Sequence, residues 1–279
     1  RPHWDVRCCD IARIDFSEFA GKVDVVTGGF PCQAFSYAGK KLGLEDTRGT
    51  LFYEFARAVK EIKPLICVGE NVRGLLTHDG GRTLRSMVDV LEELGYAVLP
   101  PQLLKAIHYR VPQKRERLLI VGLRKDVADL NFAFPLPDTR IYTMRDALKQ
   151  GDLFDCDVPQ SAGQTYPEWK KQVMDMVPPG GYWRDLPLGV QQAYMKKSFF
   201  LGGGKTGMAR RMAWTEPCLT LTCNPAQKQT ERCHPEQTRP LTVREYARVQ
   251  TFADNWLFSG SVSSQYRQIG NAVPVNLAR

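Results

Sequence analysis

Cys32 is the side chain with the most evident chemistry in this sequence. It lies in Gly28-Gly29-Phe30-Pro31-Cys32-Gln33-Ala34-Phe35-Ser36, directly after an apolar run, Val23-Asp24-Val25-Val26-Thr27, that reads as a buried strand. Paired glycines allow a tight turn, and Pro31 fixes φ just before the cysteine, so one thiol is presented at a strand end with little freedom. Most lone cysteines fill a core; a framed one suits nucleophilic work. Glu70 follows the next apolar strand and offers a carboxylate for acid catalysis. Gln113-Lys114-Arg115-Glu116-Arg117 carries arginines at alternate positions, which a strand puts on one face. Cations of this kind lower the pKa of a nearby thiol.

The elements that position these residues alternate between strand and helix. Leu51 to Lys60 places Leu51, Phe55, Ala58 and Val59 on one helical face, and Lys63-Pro64 stops that helix before a strand at Leu65 to Gly69. Thr83 to Leu94 repeats the helical pattern with Leu84, Met87, Val88 and Leu91. Ala97 to Leu104 and Leu118 to Leu123 read as two more strands, joined without a helix and so antiparallel. The rest of this stretch predicts βαβ units and a mostly parallel α/β sheet. Ligands of such sheets sit beyond the carboxyl ends of the strands, where Cys32 and Glu70 both fall. Between about 140 and 240 Gly and Pro become frequent and periodicity fades, as in Pro178-Pro179-Gly180-Gly181 and Gly202-Gly203-Gly204. Order returns at Leu241, where Thr242 and Glu245 form a capping box.

Composition sets outer bounds. The chain has 279 residues, 43% of them hydrophobic and 24% charged, and a net charge of +8. No apolar run approaches the roughly 20 residues that cross a bilayer. Residues 196–239 hold eight Lys/Arg against three Asp/Glu, so a polyanionic partner and a solvated basic face are equally compatible with them. The eight cysteines show no disulfide framework and no secretory signal precedes them, which points to reduced thiols and a cytoplasmic setting. Cys218, Cys223, Cys233 and His234 lack the paired C-x-x-C knuckle of a zinc site, and no metal is expected.

Taken together, Gly29 to Ser36, Asp46-Thr47-Arg48-Gly49-Thr50-Leu51-Phe52, Glu70-Asn71-Val72, Gln113 to Arg117, Arg239 to Glu245 and Gln268-Ile269-Gly270-Asn271-Ala272-Val273-Pro274 resemble the ordered motifs of the C5 cytosine DNA methyltransferases. The resemblance spans nearly the whole chain. It implies a Rossmann-like S-adenosylmethionine-dependent sheet with a smaller, irregular target recognition domain. The expected division is 1–139 for a partial catalytic domain, 140–240 for the recognition domain and 241–279 for a return segment completing the catalytic domain. It further implies that Cys32 adds to C6 of a cytosine extruded from duplex DNA, that Glu70 serves cytosine N3, that Arg117 contacts O2, and that Arg115 helps hold the site. The implied setting is a bacterial restriction–modification system, nucleoid-associated and functionally linked to a cognate endonuclease.

On the same resemblance Asp10, Ile11, Pro31, Leu51, Asn271 and Ala272 are cofactor-side positions. Gln33, Ser36, Thr220, Leu221, Asn224, Gln227, Lys228 and Arg232 are DNA-side positions, several of them side-chain types that read base edges. Leu219 to His234 resembles recognition domains aimed at GG-x-CC-type sites. The family's opening Phe-x-Gly-x-Gly turn is missing before Gly21, so a complementary N-terminal segment or subunit is expected to complete the cofactor pocket. Two alternatives stay open at this point: a non-catalytic or split-subunit DNA-binding fragment, and a tRNA cytosine-5 methyltransferase.

Overall fold

A computed structural model describes residues 4–31, 50–127 and 132–279. The chain forms two compact units, one of Arg1–Leu104 with Glu116–Pro135, the other of Lys105–Arg115 with Leu136–Arg279.

The first unit is built on a sheet in the order β1 (Val25–Gly28), β2 (Ile66–Asn71), β6 (Glu116–Arg124), β3 (Tyr96–Val98), with β4 (Gln102–Lys105) also paired to β6. Strands β1 and β2 are parallel, with Gly28 opposite Gly69, and α1 (Leu51–Ile62) makes the connection between them. Helix α1 starts where Thr50 accepts from the Tyr53 amide and ends at Lys63, which adopts a left-handed conformation just before Pro64. Helix α2 (Arg82–Glu93) packs Met87, Val90 and Leu91 into the same core as Phe52, Phe55, Val59 and Ile120. Each such side chain contributes about 1.5–3 kcal/mol by leaving water.

Two expectations are corrected here. The stretch Ala97 to Leu104 is two strands, because Pro100-Pro101 supplies no amide donors to a ladder. Nor is the sheet mostly parallel among the described residues, since β6 runs antiparallel to both β2 and β3. The predicted antiparallel relation of the last two strands holds at β3 and β6.

The second unit is irregular between 140 and 240, with short helices α3 (Met144–Leu148), α4 (Glu168–Asp175) and α5 (Leu188–Met195). Its regular parts are α6 (Val243–Val249), α7 (Val262–Asn271), α8 (Val275–Ala278) and a short parallel ribbon of β5 (Gln113–Lys114) and β7 (Cys218–Leu219). The capping box of Thr242 and Glu245 is present. One core joins α3, α6 and α7 through Met144, Tyr246 and Ile269, so residues 241–279 pack with 144–148 in this unit. A second core gathers Met174, Trp183, Tyr194 and Met208.

The basic excess of residues 196–239 is largely structural. Arg211 is buried and donates to the carbonyls of Val177 and Met174, both at 2.7 Å. Arg210 pairs with Glu216, and Arg239 forms a two-pronged pair with Glu245 at 2.7 Å on each arm. Guanidinium groups do this because their planar fork satisfies several buried carbonyl or carboxylate oxygens at once.

Candidate active site

The turn that leads to Cys32 explains both of its glycines. A Cβ on Gly28 would stand 2.5 Å from the Phe55 ring, and one on Gly29 would stand 3.3 Å from Glu70 Oε2. The strand end therefore approaches α1 on one side and the Glu70 carboxylate on the other. Phe30 turns into the core against Phe52 and Phe55, at ring distances of 5.2 and 5.3 Å. Cys32, Gln33 and Ser36 lie outside the described residues; Pro31 is exposed at their threshold.

Strand β2 divides its last residues between two faces. Glu70 meets Arg117 from β6, with Arg117 Nε 2.5 Å from Glu70 Oε1 and both side chains largely shielded. Burial draws the Arg117 guanidinium below its ordinary pKa, against the opposing pull of Glu70. Asn71 points the other way. Its amide donates to the Phe30 carbonyl at 2.8 Å, while its oxygen accepts from the Val72 amide at 2.9 Å. Asn71 thus fastens the segment next to Pro31, a role that sequence reading did not assign to it. Its signal was only its place beside Glu70.

The two arginines at alternate positions serve different partners. The chain leaves strand geometry at Arg115, between β5 and β6, so the period-2 expectation fails at that residue. Arg117 holds Glu70 in the first unit. Arg115 is buried in the second, donating to the carbonyls of Leu221 and Gly270, each at 3.0 Å. Gln113 takes the other side of Leu221: its oxygen accepts from the Leu221 amide at 2.9 Å, and its nitrogen donates to Gln250 at 2.9 Å. Sequence reading missed Gln113, whose polar but fully buried side chain becomes evident only once β5 and β7 are paired.

A cleft of about 290 Å³ opens in the first unit, lined by Ile11, Gly28, Gly29, Phe30, Leu51 and Phe55 among others. Ile11 and Leu51, expected on the cofactor side, converge there while remaining partly exposed at 37% and 43%. Leu51, expected on the packed face of α1, borders the cleft at the first turn instead. Asp10 holds the turn that carries Ile11 by accepting from the Ala12 amide. Arg57 of α1 donates to the carbonyls of Ile11 and Ile14, both at 2.9 Å, and so docks that turn on the helix. Apolar side chains beside glycine backbone at the end of β1 are compatible with the adenosyl portion of S-adenosylmethionine. Asn271 and Ala272 belong to the second unit; Asn271 accepts from the Cys223 thiol at 3.1 Å.

The DNA-side expectations separate on burial. Thr220 is exposed, its hydroxyl donating to the Lys114 carbonyl, whereas Leu221 is a core residue. Arg232 is corrected: it is 4% exposed, and its guanidinium is committed to the carbonyls of Leu219, Thr220 and Glu231, so it braces the backbone under Thr220 and presents no fork to a base. Asn224 closes a local turn by accepting from the Ala226 amide. Lys228 donates to the Tyr194 carbonyl. Gln227 and its neighbour Gln229 are exposed. Among the described residues no cluster of His, Cys, Asp and Glu could hold a metal ion, and no helix is long and apolar enough to cross a membrane.

These features can be set against known proteins. The C-5 cytosine-specific DNA methylase family matches residues 1–279. The type II methyltransferase M.Eco47II of Escherichia coli is 63% identical over 100% of this chain and 67% of its own length. The type II methyltransferase M.Sau96I of Staphylococcus aureus is 51% identical over 100% of this chain and 64% of its own length. The chain thus spans about two thirds of the length of these curated relatives. Among solved structures the S. pombe Dnmt2 methyltransferase matches with a TM-score of 0.59 at 15% identity, covering 98% of this chain and 81% of that one, a likeness of fold. Family and fold imply S-adenosylmethionine as methyl donor. The chain belongs to the C-5 cytosine-specific DNA methylase family, and the chemistry it serves is methylation of cytosine C5 in DNA.

Proposed function

We propose that this chain supplies the nucleophile and the base-reading elements of a type II DNA cytosine-5 methyltransferase, the modification partner of a restriction–modification system. The observation that carries this reading is the Glu70 carboxylate, held by Arg117 directly over the Gly29 backbone that leads to Cys32. Addition of the Cys32 thiolate to C6 of an extruded cytosine puts electron density into the ring. A proton held by Glu70 at N3 accommodates that density, and Arg117 both orients Glu70 and offers its remaining donors to O2. Arg115 acts one step away, fixing the backbone at Leu221 and Gly270. S-adenosylmethionine, when bound, supplies the methyl group, with Ile11 and Leu51 as apolar walls for its adenosyl portion and Asp10, Pro31, Asn271 and Ala272 as further contacts.

Residues 140–240 are the recognition domain in this reading, with the exposed Gln227 reading base edges, Thr220 beside the extruded base, and Gln33 and Ser36 near the space it leaves. A DNA methylase family match over the whole chain, with relatives named type II methyltransferases, favours this over a tRNA substrate or a non-catalytic fragment. The test is transfer of labelled methyl groups by the full-length enzyme to duplex DNA containing GG-x-CC-type sites and, separately, to bulk tRNA. Label on C5 of cytosine in the duplex is expected; label confined to tRNA, or on another cytosine atom, overturns the proposal.

A further inference from the structure

The segment Lys196 to Lys205 has no part in the mechanism, yet it exposes two adjacent large apolar side chains. Phe200 is 81% exposed and Leu201 64%. The neighbouring Phe199 anchors the segment. It packs edge-on against Trp183 of the core at 6.0 Å, and Phe200 stands edge-on to Phe199 at 5.2 Å, turned outward. Lys205 donates back to the carbonyls of Leu201 and Gly202, which tightens the loop, and Gly203 supplies the positive φ of +93° that the return needs. Lys196 and Lys197 flank the apolar tip and are exposed. A single exposed Phe is ordinary. One raised on a packed aromatic stem, beside two exposed lysines, is not explained by packing.

Two fastenings join this segment to the loop that carries Gln227 and Gln229. Before the tip, Lys228 donates to the Tyr194 carbonyl and lies 4.8 Å over the Tyr194 ring. After the tip, Gly207 lies so close that a Cβ there would stand 2.4 Å from the Gln229 carbonyl oxygen, and its own carbonyl accepts from Glu231 at 2.8 Å. The stem of the tip and the loop that carries Gln227 and Gln229 are therefore fastened side by side in the second unit.

We propose that Phe200 and Leu201 form an apolar wedge that enters duplex DNA at a base step while Lys196 and Lys197 lie on the flanking phosphates. This rests on the DNA reading above and extends it with an interaction that carries no hydrogen-bonding code. Apolar side chains used in this way unstack a step and favour distorted DNA, which lowers the cost of extruding a base nearby. The charge of the flanking lysines selects a polyanion over a second copy of this chain as occupant.

The experiment uses the full-length enzyme with Phe200→Ser plus Leu201→Ser, and separately Lys196→Ala plus Lys197→Ala. The serine variant is expected to raise KM for duplex DNA about tenfold or more, in the range that base–aromatic stacking supplies, with kcat lowered as extrusion becomes costlier. The alanine variant is expected to lower the slope of log affinity against log salt by about 2, one for each phosphate that a lysine no longer neutralises. A serine variant with unchanged KM, or an alanine variant with an unchanged salt slope, overturns the wedge while leaving the DNA reading intact. So does a wild-type dimer that the serine variant dissolves without change in KM. A wild-type enzyme that leaves duplex DNA unmethylated overturns the underlying reading and the wedge with it.

Discussion

Arg117 Nε stands 2.5 Å from Glu70 Oε1, and the same carboxylate lies over Gly29. An ion pair this close and this shielded holds the carboxyl in place, as an acid catalyst aimed at a ring nitrogen requires. Glu70→Gln keeps the shape and removes the transferable proton. Steady-state methyl transfer should show kcat reduced about 100-fold or more, the usual contribution of a positioned acid, with KM for DNA little changed. A variant with kcat within a few-fold of wild type contradicts the role.

Asn71 acts on the same strand end from the opposite face. In Asn71→Asp the side chain can no longer donate to the Phe30 carbonyl, which is left buried without its partner. The expected stability loss is about 1–3 kcal/mol, read from urea unfolding. Because Phe30 leads into Pro31-Cys32, kcat should fall as well, while Asn71→Ser, too short to reach but neutral, should fall similarly. Equal activity in all three proteins contradicts a positioning role.

Gly270 marks the tightest approach in the second unit. A Cβ there would stand 2.2 Å from the Thr222 carbonyl oxygen, backbone against backbone, so no side-chain rotation relieves it. Gly270→Ala should cost about 3 kcal/mol or more and shift the thermal midpoint down accordingly. It should also disturb the Arg115 bond to the Gly270 carbonyl. An unshifted midpoint contradicts the packing described.

His234 gives the second unit a pH dependence. Its Nδ1 accepts from the amides of Glu236 and Gln237, at 3.2 and 3.1 Å, so the ring is held neutral with its proton on Nε2. Burial depresses its pKa to about 4, with Glu245 pulling the other way. The unfolded chain, with an ordinary histidine near 6.5, binds the proton first as pH falls. Stability is therefore full above about pH 6.5 and declines by about 3 kcal/mol on going down to pH 4. Glu245, which burial pushes up but Arg239 and the Thr242 amide hold down more strongly, adds a further loss at lower pH, through the carboxylate range. Urea midpoints for His234→Asn, whose oxygen can replace Nδ1 as acceptor, should be flatter between pH 6.5 and 4.5 than those of the wild type. Identical slopes contradict this account.

Much of the first unit was legible in the sequence because its signals are local. Lys63-Pro64 ends α1, and the apolar run at Leu65 to Gly69 marks the strand whose end carries Glu70, though β2 itself runs on through Glu70 to Asn71. The Pro100-Pro101 break is equally local but is hidden within a largely hydrophobic run. The second unit was less legible because its order is long-range. Arg115 reads in sequence as a cation of the thiol site and Arg232 as a DNA-side residue, and only the fold shows these two and Arg211 wrapped around carbonyls more than 20 residues away or in the next loop. Gln113 and Asn71 had the same difficulty: a polar residue placed to satisfy a distant backbone group carries no periodic signal. Lys228 read as a base-reading side chain, and its cation is turned back on Tyr194.

The central claim is that Cys32 attacks cytosine C6 in a site organised by Glu70 and Arg117. It is tested most directly with duplex DNA carrying 5-fluorocytosine at the target position, where the fluorine replaces the hydrogen that elimination must remove, so that the covalent adduct persists. Incubated with S-adenosylmethionine, the full-length enzyme should form a denaturation-resistant protein–DNA complex that peptide mapping assigns to Cys32, and Cys32→Ser should form none. An adduct mapped to another residue, or one that survives loss of Cys32, contradicts the account.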